Sequence, residues 1–129
     1  MTKAKGTGLL PTQADVAAYE MLRPMLKNIA NEVSQLSKKK QDGVLNKLKV
    51  EMINRVLAQI KDFLKNESSV QFLDLLDTDT LPTNSDTILI ISQYDAALSA
   101  FCEKYYESEG LGLGYRWFTQ EHPGTKKEH

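Results

Sequence analysis

The chain has 129 residues, of which 41% are hydrophobic and 26% are charged, and its formal net charge is −1. This composition excludes an intrinsically disordered chain, and the length suffices for one hydrophobic core and excludes a second domain. No stretch approaches the roughly 20 apolar residues of a membrane span, and the single cysteine, Cys102, cannot form an internal disulfide, so we expect a soluble protein of the reducing cytoplasm.

The near-zero net charge hides two halves of opposite sign. Residues 1–65 contain 12 Lys and Arg against 6 Asp and Glu, whereas residues 66–129 contain 4 against 11. Opposite charge blocks can attract each other within one fold or across a dimer, and a basic block can also bind an anionic partner. The charge pattern leaves these three uses open.

Residues 1–10 are basic with little to bury, so we expect a mobile arm. Thr12 and Asp15 have the spacing of a capping box, and apolar residues at helical spacing predict a helix over residues 13–37. The apolar stripe of this helix covers an arc of about 120°, typical of a helix packed on one side. Pro24 lies on the opposite, polar face, which favours a kink within one helix over two separate helices.

The second predicted helix covers residues 42–66, and its apolar arc of about 200° is too wide for one neighbouring helix. We therefore expect this helix to lie at the centre of the bundle or to contribute to an oligomer interface. Ser68 and Gln71 predict a capping box, and the apolar residues that follow predict a short helix over residues 70–77.

The last predicted helix covers residues 86–108, with Ser85 as its N-cap and Gly110 as the glycine that stops it. Residues 110–129 contain the only tryptophan and show little periodicity, so we expect an irregular aromatic C-terminal extension with a disordered end. The sequence thus predicts an all-α fold, a small bundle of three long helices and one short helix over residues 11–109, followed by this extension.

A candidate binding site lies in the extension, at Tyr115, Arg116, Trp117 and Phe118. Large aromatic side chains are costly to expose, so this cluster either folds back on the bundle or anchors a protein partner. The second of these alternatives is the strongest indication of function in the chain.

A second candidate site consists of Lys38, Lys39, Lys40 and Lys47, because a strip of lysines suits the phosphates of a nucleic acid. The second helix also places acidic residues at i,i+4 spacing among its basic ones, a mixture typical of a solvated surface. Nucleic-acid binding through the basic N-terminal half therefore stays an alternative to a protein partner.

Arg116 and His122 are separated by five residues, Trp117 to Glu121. This spacing resembles the arginine–histidine signature of HEPN-type ribonucleases, which are small helical bundles that commonly act as dimers. The resemblance covers seven residues and implies that His122 transfers a proton at the ribose 2′-hydroxyl while Arg116 stabilises phosphate charge. The family carries the motif on a helix, whereas glycines bracket it here.

Four aspartates between residues 74 and 86 surround one predicted loop. An EF-hand starting at Asp77 would require glycine where Pro82 stands and glutamate where Ile88 stands, so that motif fails. We expect these carboxylates to cap helices and shape turns, and we predict neither a metal nor a cofactor.

The sequence as a whole favours a non-enzymatic protein–protein interaction module or small accessory subunit. It would self-associate through the wide apolar face of the second helix or bind a protein partner through the C-terminal extension. Nucleic-acid binding and a HEPN-like ribonuclease are the alternatives.

Overall fold

The computed structural model of the protein describes residues 9–123. The described elements are, in chain order, α1 (Gln13–Lys39), α2 (Lys47–Phe63), a 3-10 helix (Ser68–Phe72), α3 (Asn84–Tyr105), β1 (Tyr106–Ser108) and β2 (Tyr115–Trp117). The predicted framework of three long helices is confirmed. Residues 1–8 of the predicted arm and residues 124–129 of the predicted disordered end lie outside the described residues. Among residues 9–123, no helix combines the length and the apolar character needed to cross a membrane.

The start of α1 follows from local hydrogen bonding. The Thr12 hydroxyl accepts a hydrogen bond from the Asp15 amide (3.1 Å), and the Asp15 carboxylate accepts one from the Thr12 amide (3.0 Å). This is the predicted capping box. Pro24 lies inside α1 on its exposed face, where water can solvate the carbonyl that proline leaves without a donor. One continuous helix therefore runs past Pro24.

Helix α1 is the central helix, because it packs along both α2 and α3. The alternative that placed α2 at the centre is therefore wrong. α1 covers one side of the apolar arc of α2, and the extended chain between the 3-10 helix and α3 covers another, with Leu73 and Leu76 buried. Asn54 of α2 holds this chain: its side-chain amide donates to the Leu76 carbonyl (2.9 Å) and accepts from the Leu76 amide (2.8 Å).

The short helix predicted over residues 70–77 is instead the 3-10 helix over Ser68–Phe72. The Gln71 side chain donates to the Ser68 carbonyl (3.0 Å), and no side-chain hydrogen bond caps the start of this helix. The helix ends early because the backbone of Leu76 finds its hydrogen-bond partners on Asn54, which an α-helical conformation would not allow.

Both predicted ends of the last helix need correction. Its N-cap is Thr83 and not Ser85, because the Thr83 hydroxyl accepts the hydrogen bond from the Asp86 amide (3.1 Å). The buried Asn84 side chain donates to the Lys40 carbonyl (2.9 Å), which anchors the start of α3 to the end of α1. At the other end, α3 stops at Tyr105, because the chain then enters β1.

The C-terminal extension, which we expected to be irregular, contains an antiparallel β-hairpin. Tyr106 lies opposite Trp117, and Ser108 lies opposite Tyr115. The two strands have only three residues each, too few for an alternating apolar pattern to be recognised in the sequence. The all-α prediction is therefore correct for the bundle and wrong for this segment.

A tight turn joins the two strands. The Leu113 amide donates to the Gly110 carbonyl (3.0 Å), and the two residues between them, Leu111 and Gly112, have φ values of 52° and 75°. Positive φ at both central positions is the pattern of a type I′ turn, which matches the twist of a hairpin. Gly110 is thus a turn residue and does not stop the helix.

Candidate functional site

The aromatic cluster of the extension is largely packed on its own bundle. The Trp117 ring lies 5.1 Å from the Tyr19 ring and 5.7 Å from the Phe101 ring, measured between centroids. Phe118 is also buried, with the Arg116 guanidinium over its ring. Of the two alternatives for this cluster, folding back is the one observed for Trp117 and Phe118, and Tyr115 is the aromatic member that stays exposed.

The Arg116 guanidinium is bound by its own chain. Its Nε lies 3.0 Å from the Glu109 carboxylate, and its two terminal nitrogens donate to the carbonyls of Trp117 (3.1 Å) and His122 (2.9 Å). The group also lies 4.6 Å from the Phe118 ring centroid. These contacts tie both strands of the hairpin to the turn that follows β2.

The geometry gives the HEPN resemblance no support. Arg116 lies on β2 and His122 on the turn after it, whereas the family carries its motif on a helix. Thr119 and His122 exchange backbone hydrogen bonds of 3.1 and 3.0 Å, and Arg116 binds the carbonyl of His122. The ribonuclease hypothesis stays an untested prediction.

An apolar groove of about 600 Å³ runs between α2 and the part of α1 that follows Pro24. Buried residues of both helices form its floor, including Val33 and Ile53. Three large apolar side chains along the groove are exposed: Met25 by 44%, Leu48 by 65% and Met52 by 52%. A contiguous exposed patch of this kind is typical of an interaction site.

Helical geometry explains why the groove is open. Leu48 and Met52 are four residues apart and share one face of α2, next to the face that packs Ile53 and Leu57 into the core. They belong to the wide apolar arc for which we predicted an oligomer interface. Within residues 9–123, α1, Phe101 of α3 and the chain held by Asn54 cover other parts of that arc and leave this part exposed.

Charged side chains flank the groove unequally. Lys49 and Arg55 lie on its α2 side, and Glu32 lies on its α1 side. In the part of the chain that the structure describes, none of these three takes part in an ion pair. The charged residues that line the groove therefore carry a net charge of +1.

The four lysines of the nucleic-acid hypothesis flank the connection between α1 and α2. Lys38 and Lys39 form part of the last turn of α1, Lys40 caps it, and Lys47 opens α2. All four are exposed, and none pairs with a carboxylate within the described range. Lys38, Lys39 and Lys40 lie at the C-terminus of α1, where the helix dipole stabilises positive charge, so these three have a structural reason to be there. Lys47 lies at the N-terminus of α2 and has no such stabilisation.

A smaller cavity of about 210 Å³, lined in part by Glu67 and Asp15, lies near the start of α1. The Glu67 carboxylate accepts hydrogen bonds from the Tyr105 hydroxyl (2.7 Å) and the Lys104 ammonium group (3.3 Å). Burial, followed by the hydrogen bond to Glu67, raises the pKa of Tyr105. Both carboxylate oxygens of Glu67 thus have hydrogen-bond donors.

Chemistry-bearing residues elsewhere have structural surroundings. The Asp77 carboxylate accepts hydrogen bonds from the amides of Asp79 (2.8 Å) and Thr80 (3.0 Å), so it shapes a turn, and these bonds lower its pKa. Cys102 is half-buried on α3. Across residues 9–123, no group of three or more His, Cys, Asp or Glu side chains is arranged to hold a metal ion.

Several large apolar side chains are exposed together at two places on the described chain, the groove between α1 and α2 and the end of the hairpin. Contact of these apolar side chains with water is unfavourable, so a binding partner that covered them would be stabilised. The chain was compared with protein-family models, with curated proteins and with solved structures, and none of the three comparisons found a match.

Proposed function

We propose that this chain is a non-enzymatic protein–protein interaction module or small accessory subunit that self-associates through the groove between α1 and α2. One observation carries the proposal: Met25, Leu48 and Met52 stand exposed side by side over a buried apolar floor. Complete burial of such a side chain contributes about 1.5–3 kcal/mol. Since about half of each side chain is exposed, covering all three would contribute about 3 kcal/mol.

The chemistry of the groove supports a protein partner. Met25 and Met52 have unbranched, polarisable side chains that adapt to the shape of an apolar surface. The volume of about 600 Å³ is enough for a few large side chains of a partner. The basic residues Lys49 and Arg55 favour an occupant that carries acidic groups beside its apolar ones.

Sedimentation velocity over a micromolar concentration range tests the proposal. We expect the wild-type protein to associate and a Leu48→Glu/Met52→Glu double variant to be monomeric, with a dissociation constant weakened by about 30-fold or more. Both residues are more than half exposed, so the fold should tolerate the change. Leu89→Glu is the matched control, because Leu89 is exposed on α3 and does not line the groove.

A wild-type protein that stays monomeric throughout this range would contradict self-association. Loss of association in the Leu89→Glu control, to the same extent as in the groove variant, would show that added negative charge is the cause. In that case the groove would not be the interface.

Nucleic-acid binding is the second candidate, favoured by the exposed lysines around the connection between α1 and α2. Phosphate contacts release counterions, so binding should weaken steeply as salt rises. Replacing Lys38, Lys39 and Lys40 by Gln should lower the slope of log affinity against log salt by about 2 to 3. Lys61→Gln serves as the control, and no retention of RNA or DNA at low ionic strength would exclude this function.

A further inference from the structure

The tip of the hairpin holds a leucine where the backbone disfavours one. Leu111 has a φ of 52° and is 99% exposed. Type I′ turns favour Asn or Gly at this position, because a side chain beyond the β-carbon crowds the backbone when φ is positive. Leu111 contributes neither packing nor favourable turn geometry to its own copy. Strain in an exposed apolar residue points to a role outside the monomer.

The exposed apolar surface extends from this tip along β2. Side chains alternate along a strand, so Tyr115 and Trp117 share one face of β2. Trp117 packs that face against the bundle, while Tyr115 is 66% exposed, and Leu113 in the adjoining turn is 69% exposed. Tyr106 stacks on Tyr115, with ring centroids 5.8 Å apart, and stiffens the overhanging part.

The charges of the hairpin complement those of the groove. Residues 103–117, which lead into and form the hairpin, contain three glutamates against Lys104 and Arg116, a net charge of −1. Lys104 is paired with Glu67 (3.3 Å), and Arg116 is paired with Glu109 (3.0 Å). The charged residues that line the groove are two basic ones, Lys49 and Arg55, and one acidic one, Glu32, a net charge of +1. The hairpin and the groove therefore both expose apolar side chains and carry net charges of opposite sign, which favours their contact.

We infer that the occupant of the groove is the hairpin tip of a second copy, with Leu111, Leu113 and Tyr115 inserted between α1 and α2. This inference rests on the proposed self-association and specifies how it occurs. The hairpin of each copy packs beside Tyr19, near the start of α1, and its tip is exposed to solvent outside its own groove. The contact therefore joins two different surfaces, tip and groove, and it either forms reciprocally between two copies or repeats head to tail into a ring or a chain.

Two double variants test this arrangement. The groove variant is Leu48→Glu/Met52→Glu, which keeps an intact tip. The tip variant is Leu111→Asn/Leu113→Thr, which keeps an intact groove and suits a type I′ turn and a strand. Circular dichroism and the fluorescence of Trp117, whose ring packs on the bundle, confirm that each variant folds.

Sedimentation of the variants alone and mixed gives the decisive result. We expect each variant alone to be monomeric, with a dissociation constant at least about 30-fold weaker than that of the wild type. An equimolar mixture should form a one-to-one dimer and nothing larger, because only one intact tip and one intact groove are available in each pair. Adding Leu89→Glu to either variant should leave the mixture unchanged.

Other outcomes separate this inference from the proposed function. If the tip variant associates as the wild type does while the groove variant does not, the occupant is another groove or another surface, so the inference fails and the proposed function stands. If both variants are monomeric and their mixture is too, the tip-in-groove contact is again overturned. A monomeric wild-type protein would overturn both proposals.

Discussion

The side-chain amide of Asn54 and the backbone of Leu76 exchange two hydrogen bonds, of 2.8 and 2.9 Å. Asn54 thus satisfies one backbone amide and one carbonyl in a segment that forms neither helix nor sheet. The pair holds the extended chain against one side of α2, and so decides which part of the apolar arc of α2 is covered and which part stays open as the groove.

Replacing Asn54 by Ala should lower the free energy of unfolding by about 2 kcal/mol, because both backbone groups of Leu76 lose their partner. Chemical denaturation followed by circular dichroism measures this loss. Gln93→Ala, an exposed substitution on α3, is the control and should change stability by less than about 0.5 kcal/mol. Equal stability of the two variants would show that the hydrogen-bond pair does not hold the segment.

Thr83 and Ser85 are two hydroxyl residues at the start of α3, and only Thr83 caps the helix. Thr83→Ala should destabilise the protein by about 1 kcal/mol, because it removes the acceptor for the Asp86 amide. Ser85→Ala should have little effect, since Ser85 lies inside the helix and is exposed. Thermal or denaturant unfolding of the two variants measures the difference. The reverse order would restore Ser85 as the cap that the sequence alone indicates.

Leu111→Asn should stabilise the monomer by up to about 1 kcal/mol, because asparagine tolerates positive φ better than leucine. Denaturant unfolding should be measured in the Leu48→Glu/Met52→Glu background, so that association does not contribute. Leu113→Asn is the matched control, since Leu113 does not have positive φ. Destabilisation by Leu111→Asn would mean that the leucine supports the fold of its own copy.

The protein should lose stability in alkaline solution. Burial raises the pKa of Tyr19 to about 12 and raises the pKa values of Tyr94 and Tyr105 as well, above the value of about 10 for an unfolded chain. The folded state therefore holds phenol protons that the unfolded state releases. The resulting stabilisation is complete below about pH 10 and is lost as pH rises above it.

Unfolding free energies measured from about pH 9 to pH 11 check this pH dependence, with tyrosinate absorbance reporting ionisation. Tyr94→Phe should make the decline less steep, because it removes one of the three titrating groups, although it also removes the hydrogen bond to the Asp74 carbonyl (2.7 Å). A stability that stays constant across this range would contradict the prediction.

Part of the candidate site could be predicted from the sequence. Leu48 and Met52 belong to the apolar arc whose width indicated an oligomer interface, because arc width depends only on residue spacing along a helix. Which residues of that arc stay exposed depends on where α1 and the Asn54-bound chain lie. The exposed tip of the hairpin was not predicted, because Leu111 and Leu113 were assigned to an irregular extension.

The sequence by itself determined the three long helices and the capping box of Thr12 and Asp15, because helical periodicity and capping act between residues three or four positions apart. Only the tertiary structure decided that α1 is central and that Tyr106 pairs with Trp117. These features depend on groups that are distant in sequence. The spacing of residues along one helix does not indicate which distant groups will be in contact in the folded chain.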